Sequence, residues 1–148
     1  MNTAKHEPMK TQTMYLEHAN ISVNNLNESI RFFQAAFPDF AVRGGGESNG
    51  RKWIHLGNEQ TYLALNEAIE IQHHEKDYLK NGINHLGFVV NDVEAIADRI
   101  LTAGFKRDYP KQVEKYRIRD YFADADGNEY EFVQYLSEDL DERNFYDA

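Results

Sequence analysis

The chain has 148 residues, 41% of them hydrophobic, which suffices for one packed domain and excludes disorder of the whole chain. Its formal net charge of −9 argues against nucleic acids and anionic membranes as partners, because both require a basic surface. It contains no cysteine, which excludes disulfides, zinc–thiolate sites and a thiol nucleophile.

The first half of the chain predicts a polar leader, a strand and a helix. Residues 1–13 lack the apolar stretch of a signal peptide, so we expect a flexible leader on a cytoplasmic protein. Residues 14–23 alternate in polarity and are rich in β-formers, which favours a strand. Asn25 or Asn27 then caps a helix over 28–36, whose apolar residues repeat at helical spacing.

Three more strands are predicted before the middle of the chain. Residues 40–43 favour a short strand that leads into the Gly44–Gly46 run. Glu47-Ser48-Asn49-Gly50 follows, which has the composition of a turn. The glycine run lacks the spacing of a phosphate loop, so we interpret this segment as a flexible hairpin connection. Strands over 52–56 and 61–65 then form a hairpin around Gly57-Asn58.

The second half predicts the same order again. A charged linker over 68–82 contains His73-His74-Glu75, which we interpret as a solvated turn because adjacent side chains point in different directions. A strand over 83–90 and a helix over 92–103 follow, and then two or three strands to residue 136. Residues 137–148 form an acidic tail, with a short helix as one possibility.

An internal repeat pairs two histidines. The run from His18 to Leu26 matches the run from His85 to Val93 without a gap. Each copy reads as a histidine, an alternating apolar run, a polar pair and an apolar residue that opens a helix. Such self-similarity indicates that one supersecondary unit is duplicated.

The repeat predicts the fold class. It is α+β, with two tandem βαβββ modules over 14–67 and 83–136 in one structural domain. The modules are expected to form an open, curved mixed sheet around a central cleft, with the helices outside.

Strand alternation assigns polar side chains to the cleft. His18 and His85 begin the polar faces of their strands, opposite apolar faces that suit packing under a helix. On the last strand Glu129 and Glu131 share a face, and spacing does not choose between them. Two neutral imidazoles and one carboxylate are a donor set for a divalent metal with open positions, such as iron, manganese, zinc or nickel.

Three segments resemble the vicinal oxygen chelate superfamily, which includes glyoxalases, extradiol dioxygenases, and fosfomycin-resistance and bleomycin-resistance proteins. They are His18-Ala-Asn-Ile-Ser-Val with the helix after it, Asn84–Val90, and Asp124–Phe132. The last is similar to the family's Asp-Pro-Asp-Gly-Asn-x-Ile-Glu-Leu, with Ala125 for proline and Tyr130 for isoleucine. The resemblance covers about residues 15–136.

The resemblance implies a metal site of His18, His85 and Glu131, and so selects Glu131 over Glu129. It implies a metal-dependent lyase, dioxygenase or transferase that acts on a small, oxygen-chelating, anionic substrate as a homodimer. The alternative is a metal-free protein that binds or sequesters a small molecule, as bleomycin-resistance proteins do. Glyoxalases carry a second glutamate in the fourth strand of the first module, whereas residues 61–66 contain no acid, so three protein ligands are implied.

The candidate catalytic residues are Tyr121, Arg119 and His55. Tyr121 and His55 are the residues available to match the extra tyrosine and histidine of extradiol enzymes. Arg119 shares a strand face with Arg117 and Tyr121, where it would either bind an anionic substrate or form a surface ion pair. Trp53 is expected to contact substrate or to pack in the core.

Overall fold

The computed structural model describes residues 14–71 and 78–146. The predicted leader over 1–13 and the His73-His74-Glu75 segment lie outside the described residues. The boundaries predicted for the modules, the linker and the tail stay a prediction.

Two βαβββ modules form the molecule, which confirms the predicted α+β class. The first contains β1 (His18–Val23), α1 (Leu26–Ala36), β2 (Ala41–Ser48), β3 (Arg51–Gly57) and β4 (Tyr62–Glu67). The second contains β5 (His85–Val89), α2 (Val93–Thr102), β6 (Lys106–Val113), β7 (Arg117–Ala123) and β8 (Glu129–Tyr135). A short helix, α3 (Leu140–Arg143), follows in the acidic tail.

Each module contributes one four-stranded sheet. The strand orders are β1-β4-β3-β2 and β5-β8-β7-β6, so the two sheets have the same topology. In each, the first strand pairs in parallel with the last, and the other neighbours are antiparallel. The first strand of each module therefore lies at a sheet edge, and His18 and His85 begin these two edge strands.

Side-chain caps set the start of both helices. The Asn25 side chain accepts a hydrogen bond from the Glu28 backbone N–H at 3.0 Å, so Asn25 rather than Asn27 is the cap. Asp92 does the same for α2 through the Ala95 N–H at 3.0 Å. Each cap satisfies a backbone donor that would otherwise have no partner inside the helix.

The triple-glycine run is part of a strand, so the predicted hairpin connection does not include these glycines. β2 continues through Gly44–Gly46 to Ser48, paired with β3. The hairpin turn lies at Asn49 and Gly50, inside the stretch with turn composition, and both residues have positive φ, of 53° and 72°. Glycine suits position 46 because a Cβ there would lie 3.3 Å from the Trp53 ring, which occupies that space.

One hydrophobic core joins the two modules. It contains the buried faces of α1 and α2 and the apolar faces of both sheets. Phe33 of α1 packs edge-on against Tyr130 of β8, with ring centroids 4.9 Å apart. Arg99 of α2 donates to the carbonyl oxygens of Ala35 and Ala36 at 2.8 and 2.9 Å, which ties the end of α1 to α2. The opposite faces of the two sheets remain outside this core.

No helix in the described part of the chain is long and apolar enough to cross a membrane. The predicted cytoplasmic location stays a prediction.

Replacing Gly57 by alanine should destabilise the protein severely. A Cβ at this position would lie 2.2 Å from the Thr61 carbonyl oxygen and 2.5 Å from the Tyr62 Cα, and backbone atoms cannot move away cheaply. We expect the free energy of unfolding in urea to fall by about 3 kcal/mol or more.

Gly44→Ala is the matched control, because a Cβ at Gly44 would meet no atom within 4 Å. Its free energy of unfolding should stay within about 1 kcal/mol of the wild type. Equal stability of the two variants would contradict the packing described at Gly57.

Candidate functional site

His85 and Glu131 meet on the exposed face of the second sheet. In the parallel β5–β8 pair, Gly87 lies opposite Glu131 and His85 lies opposite Glu129. His85 Nε2 is 3.0 Å from Glu131 Oε2. Gly87 contributes no side chain beside them, and a Cβ there would lie 3.6 Å from Glu131 Oε2. Two of the three predicted ligands are thus adjacent.

The other ring nitrogen of His85 faces hydrogen-bond acceptors. Nδ1 lies 2.8 Å from Asn84 Oδ1 and 3.4 Å from Glu129 Oε1. These contacts favour the proton on Nδ1, which leaves a lone pair on Nε2. A lone pair and a carboxylate oxygen 3.0 Å apart repel each other unless a proton or a cation lies between them.

The spacing fits a metal ion. Two ligand atoms at right angles, each about 2.1 Å from one ion, are about 3.0 Å apart. This is the separation of His85 Nε2 and Glu131 Oε2. An imidazole nitrogen and a carboxylate oxygen are also the donors that divalent transition metals accept. The donor set and its spacing therefore fit the divalent metal that the sequence predicts.

The second oxygen of Glu131 is held by Tyr121. The Tyr121 hydroxyl donates to Glu131 Oε1 at 3.0 Å. Burial, followed by the negative charge of Glu131, raises the pKa of Tyr121 to about 12, so the hydroxyl stays protonated at neutral pH. Tyr121 therefore holds the Glu131 carboxylate in position and places a hydroxyl proton beside it.

Arg119 is the cation nearest this carboxylate in the described part of the chain. Its Nη1 lies 3.8 Å from Glu131 Oε1, and its Nη2 donates to Glu114 Oε1 at 2.8 Å. Its Nε is buried and has no hydrogen-bond partner among the described residues. Arg117 behaves differently, because it is buried against Glu114 and stacks over the Tyr146 ring, 4.3 Å from its centroid. Of the two arginines, Arg119 lines the site.

A cavity of about 480 Å³ opens over these groups. It is lined by Tyr78, His85, Tyr109, Gln112, Arg119 and Tyr121. The sequence analysis singled out His85, Arg119 and Tyr121 but missed the other three. Tyr109 and Gln112 lie on β6, whose register against β7 shifts twice. Simple alternation along the strand does not predict such shifts, so it does not show which β6 residues line the cavity. Tyr78 comes from the linker.

His18 lies in a different environment. Its Nδ1 contacts Glu17 Oε1 at 2.9 Å, and its ring stacks on Tyr62 with centroids 4.7 Å apart. The candidate catalytic residue His55 stacks on Tyr62 too, at 4.6 Å, and Trp53 lies 5.1 Å from His55. These rings form a stack on the first sheet, apart from the residues that line the cavity.

The structure thus brings together two of the three predicted ligands. Within the described ranges, no three His, Asp or Glu side chains lie close enough to hold a metal ion. The first module has no acid at the position that corresponds to Glu131, because Ala64 lies there opposite Asn20, as Glu131 lies opposite Gly87.

A family model of the Glyoxalase/Bleomycin resistance protein/Dioxygenase superfamily matches residues 15–132. The chain belongs to this superfamily. The match spans both modules, from the residues before β1 into β8, and therefore includes both histidines and Glu131.

Solved structures of the superfamily share the fold. A glyoxylase/bleomycin resistance protein/dioxygenase domain from Frankia sp. EAN1pec has a TM-score of 0.70 at 20% identity, covering 84% of this chain and 99% of that one. The fosfomycin resistance protein FosX from Mesorhizobium loti has a TM-score of 0.66 at 19% identity, covering 89% and 98%.

A mutant of FosX from Listeria monocytogenes, complexed with Mn(II) and 1S,2S-dihydroxypropylphosphonic acid, gives a TM-score of 0.67 at 20% identity, covering 89% and 98%. At these identities the likeness establishes the fold alone.

Removing the Tyr121 hydroxyl should destabilise the site. Tyr121→Phe leaves Glu131 Oε1 without this donor, and a hydrogen bond to a charged acceptor contributes about 2 kcal/mol. We expect the free energy of unfolding of the metal-free protein to fall by about that amount. In a Glu131→Leu background the same substitution should cost less than about 0.5 kcal/mol, because the acceptor is already absent.

Tyr109→Phe is the control, since its half-exposed ring packs edge-on against Tyr121, with centroids 5.6 Å apart. If it cost as much as Tyr121→Phe, the Tyr121–Glu131 hydrogen bond would not be the source of the effect.

Proposed function

We propose that this chain is a metal-dependent enzyme that acts on a small, anionic substrate able to chelate a metal through two oxygens. The observation that supports it most is the 3.0 Å approach of His85 Nε2 to Glu131 Oε2, with acceptors at Nδ1 of the same ring. Two acceptors at this distance need a proton or a cation between them, and the spacing suits a divalent metal.

Each residue of the site has a distinct role in this proposal. His85 and Glu131 hold the metal. The metal would supply Lewis acidity to a bound substrate oxygen. Tyr121 orients Glu131 and carries a proton that stays in place at neutral pH. Arg119, whose buried Nε has no partner among the described residues, would bind the anionic group of the substrate.

We infer that the third ligand is His18 of a second copy of the chain. His18 lies on the exposed face of β1, and its side chain is 42% exposed. Its Nδ1 is occupied by Glu17, which leaves Nε2 to face outward. Within one chain it does not approach His85 and Glu131 closely enough to complete a metal site. A symmetric dimer would place each His18 at the other copy's site and form two equivalent sites.

Metal content tests the proposal directly. Protein reloaded in turn with iron(II), manganese(II), zinc and nickel should retain about one ion of the preferred metal per chain by elemental analysis. His85→Ala should lose it, because one of three ligands is gone. His55→Ala is the matched control and should retain the metal, since His55 is not a proposed ligand.

A mixing experiment tests the sharing of ligands between chains. His18→Ala and His85→Ala should each bind no metal alone. After the two are unfolded and refolded together in equal amounts, half of the dimers carry both chains, and one site in each of these has all its ligands. Metal should return to about one quarter of all sites. If the mixture stayed metal-free, the ligands would not be shared in this way.

The ring stack on the first sheet favours one alternative function. His18, Tyr62, His55 and Trp53 present a continuous series of rings, which suits a flat aromatic ligand bound without chemistry. Trp53 is the single tryptophan of the chain, so its fluorescence reports on this surface. Wild-type protein without metal above background, together with quenching of Trp53 by aromatic ligands, would support this metal-free role over the enzyme.

A further inference from the structure

The Nδ1 side of His85 contains a carboxylate–tyrosine pair that is not part of the proposed metal ligands. Glu129 Oε1 lies 3.4 Å from Nδ1, beside the 2.8 Å contact of Asn84. The same oxygen accepts the hydroxyl of Tyr78 at 2.5 Å. The Glu129 side chain is 2% exposed, so its charge is almost completely removed from water.

His18 has a pair of the same kind. Glu17 Oε1 lies 2.9 Å from His18 Nδ1, and Glu17 also hydrogen-bonds to Tyr62. The Tyr62 ring stacks on the His18 imidazole, 4.7 Å between centroids and 13° from parallel. Both predicted ligand histidines therefore have a tyrosine-bound carboxylate at Nδ1 and an Nε2 that faces away from it.

The internal repeat does not account for this similarity. Glu17 precedes its histidine on the same stretch of chain, whereas Glu129 comes from the neighbouring strand β8. In the strand register, the position of Glu129 opposite His85 corresponds to Tyr62 opposite His18. The two pairs are built from positions that do not correspond, so duplication of an ancestral unit would not by itself produce both.

We propose that Glu129–Tyr78 and Glu17–Tyr62 are positioning pairs, which hold the proton of each histidine on Nδ1 and present Nε2 to the metal. A carboxylate at the far nitrogen of a metal-binding imidazole fixes the tautomer, orients the ring and makes the ligating nitrogen a better donor. The tyrosine contributes by fixing the carboxylate oxygen through a short hydrogen bond to a charged acceptor. This inference rests on the proposed function, which assigns a divalent metal to the Nε2 atom of each histidine.

The two pairs differ in burial, and this predicts unequal effects. The carboxylate of Glu129 is buried, so little solvent screens its charge from His85. The Glu17 side chain is 50% exposed, so water screens its charge from His18. Removing the charge of Glu129 should therefore weaken metal binding more than removing that of Glu17.

Manganese(II) affinity of the full-length protein tests the proposal, with free Mn(II) measured by electron paramagnetic resonance. Glu129→Gln should weaken binding by roughly 10- to 100-fold, the usual loss when a group behind a metal ligand is removed. Glu17→Gln and Tyr78→Phe should weaken it less. Adding Tyr78→Phe to Glu129→Gln should cause little further loss, because the tyrosine acts through the carboxylate.

Matched controls separate positioning from general damage. Tyr116→Phe removes a hydroxyl outside the cavity, from a ring that packs against Phe145, and Glu59→Gln removes a charge from the exposed turn before β4. Both should keep the wild-type affinity. In zinc-loaded, ¹⁵N-histidine-labelled protein, the Nδ1 proton of His85 should exchange slowly with solvent in the wild type and faster in Glu129→Gln. A variant that was merely unstable would change its unfolding midpoint without this specific exchange.

The outcomes distinguish this inference from the proposed function. Wild-type protein that binds none of iron(II), manganese(II), zinc and nickel would overturn both. Wild-type protein that binds Mn(II), with Glu129→Gln binding equally well and its Nδ1 proton unchanged, would overturn the positioning pairs and leave the proposed function standing. Additive losses from Glu129→Gln and Tyr78→Phe would also overturn the pair, because they would show that the two residues act separately.

Discussion

The two sheets of this protein share one hydrophobic core, and a sheet in such a core buries one face and leaves the other to solvent. Alternate residues of β1, β5 and β8, among them Val23, Phe88 and Phe132, point into the layer that contains α1 and α2. Period-two alternation then forces His18, His85 and Glu131 onto the opposite faces. Each sheet has a polar face because its other face packs in the core. The candidate site lies on the polar face of the second sheet.

At the site, two buried or half-buried carboxylates flank the His85 ring, one at each nitrogen. The Tyr78 and Tyr121 hydroxyls each donate a hydrogen bond to one carboxylate oxygen, and Arg119 lies 3.8 Å from Glu131. Keeping carboxylates away from water is costly unless hydrogen bonds and positive charge compensate them, so the residues around each carboxylate are part of what makes the site stable.

The two modules have the same topology, but their sheets carry different polar and aromatic side chains. The second carries the carboxylates and Arg119, whereas the first carries a stack of rings and has Ala64 where the second has Glu131. A strand register needs only alternating polarity, so duplication preserves the backbone while the exposed face of each copy can change. Within the described residues of the two modules, no three His, Asp or Glu side chains lie close enough to hold a metal ion.

The sequence by itself determined the two-module α+β fold, which follows from alternation, helix caps and a repeated motif. Alternation placed His85 and Glu131 on the polar faces of their strands, and the resemblance to the superfamily selected Glu131 over Glu129. The sequence alone did not show that Gly44–Gly46 belong to a strand. Whether a run of glycines forms a turn or pairs in a sheet depends on the strand beside it. Only the tertiary structure decided that Tyr78, Glu129 and the bulged strand β6 surround the site, and that His18 lies apart from it. These depend on register between strands and on the packing of the modules, which are contacts between distant segments that no local pattern encodes.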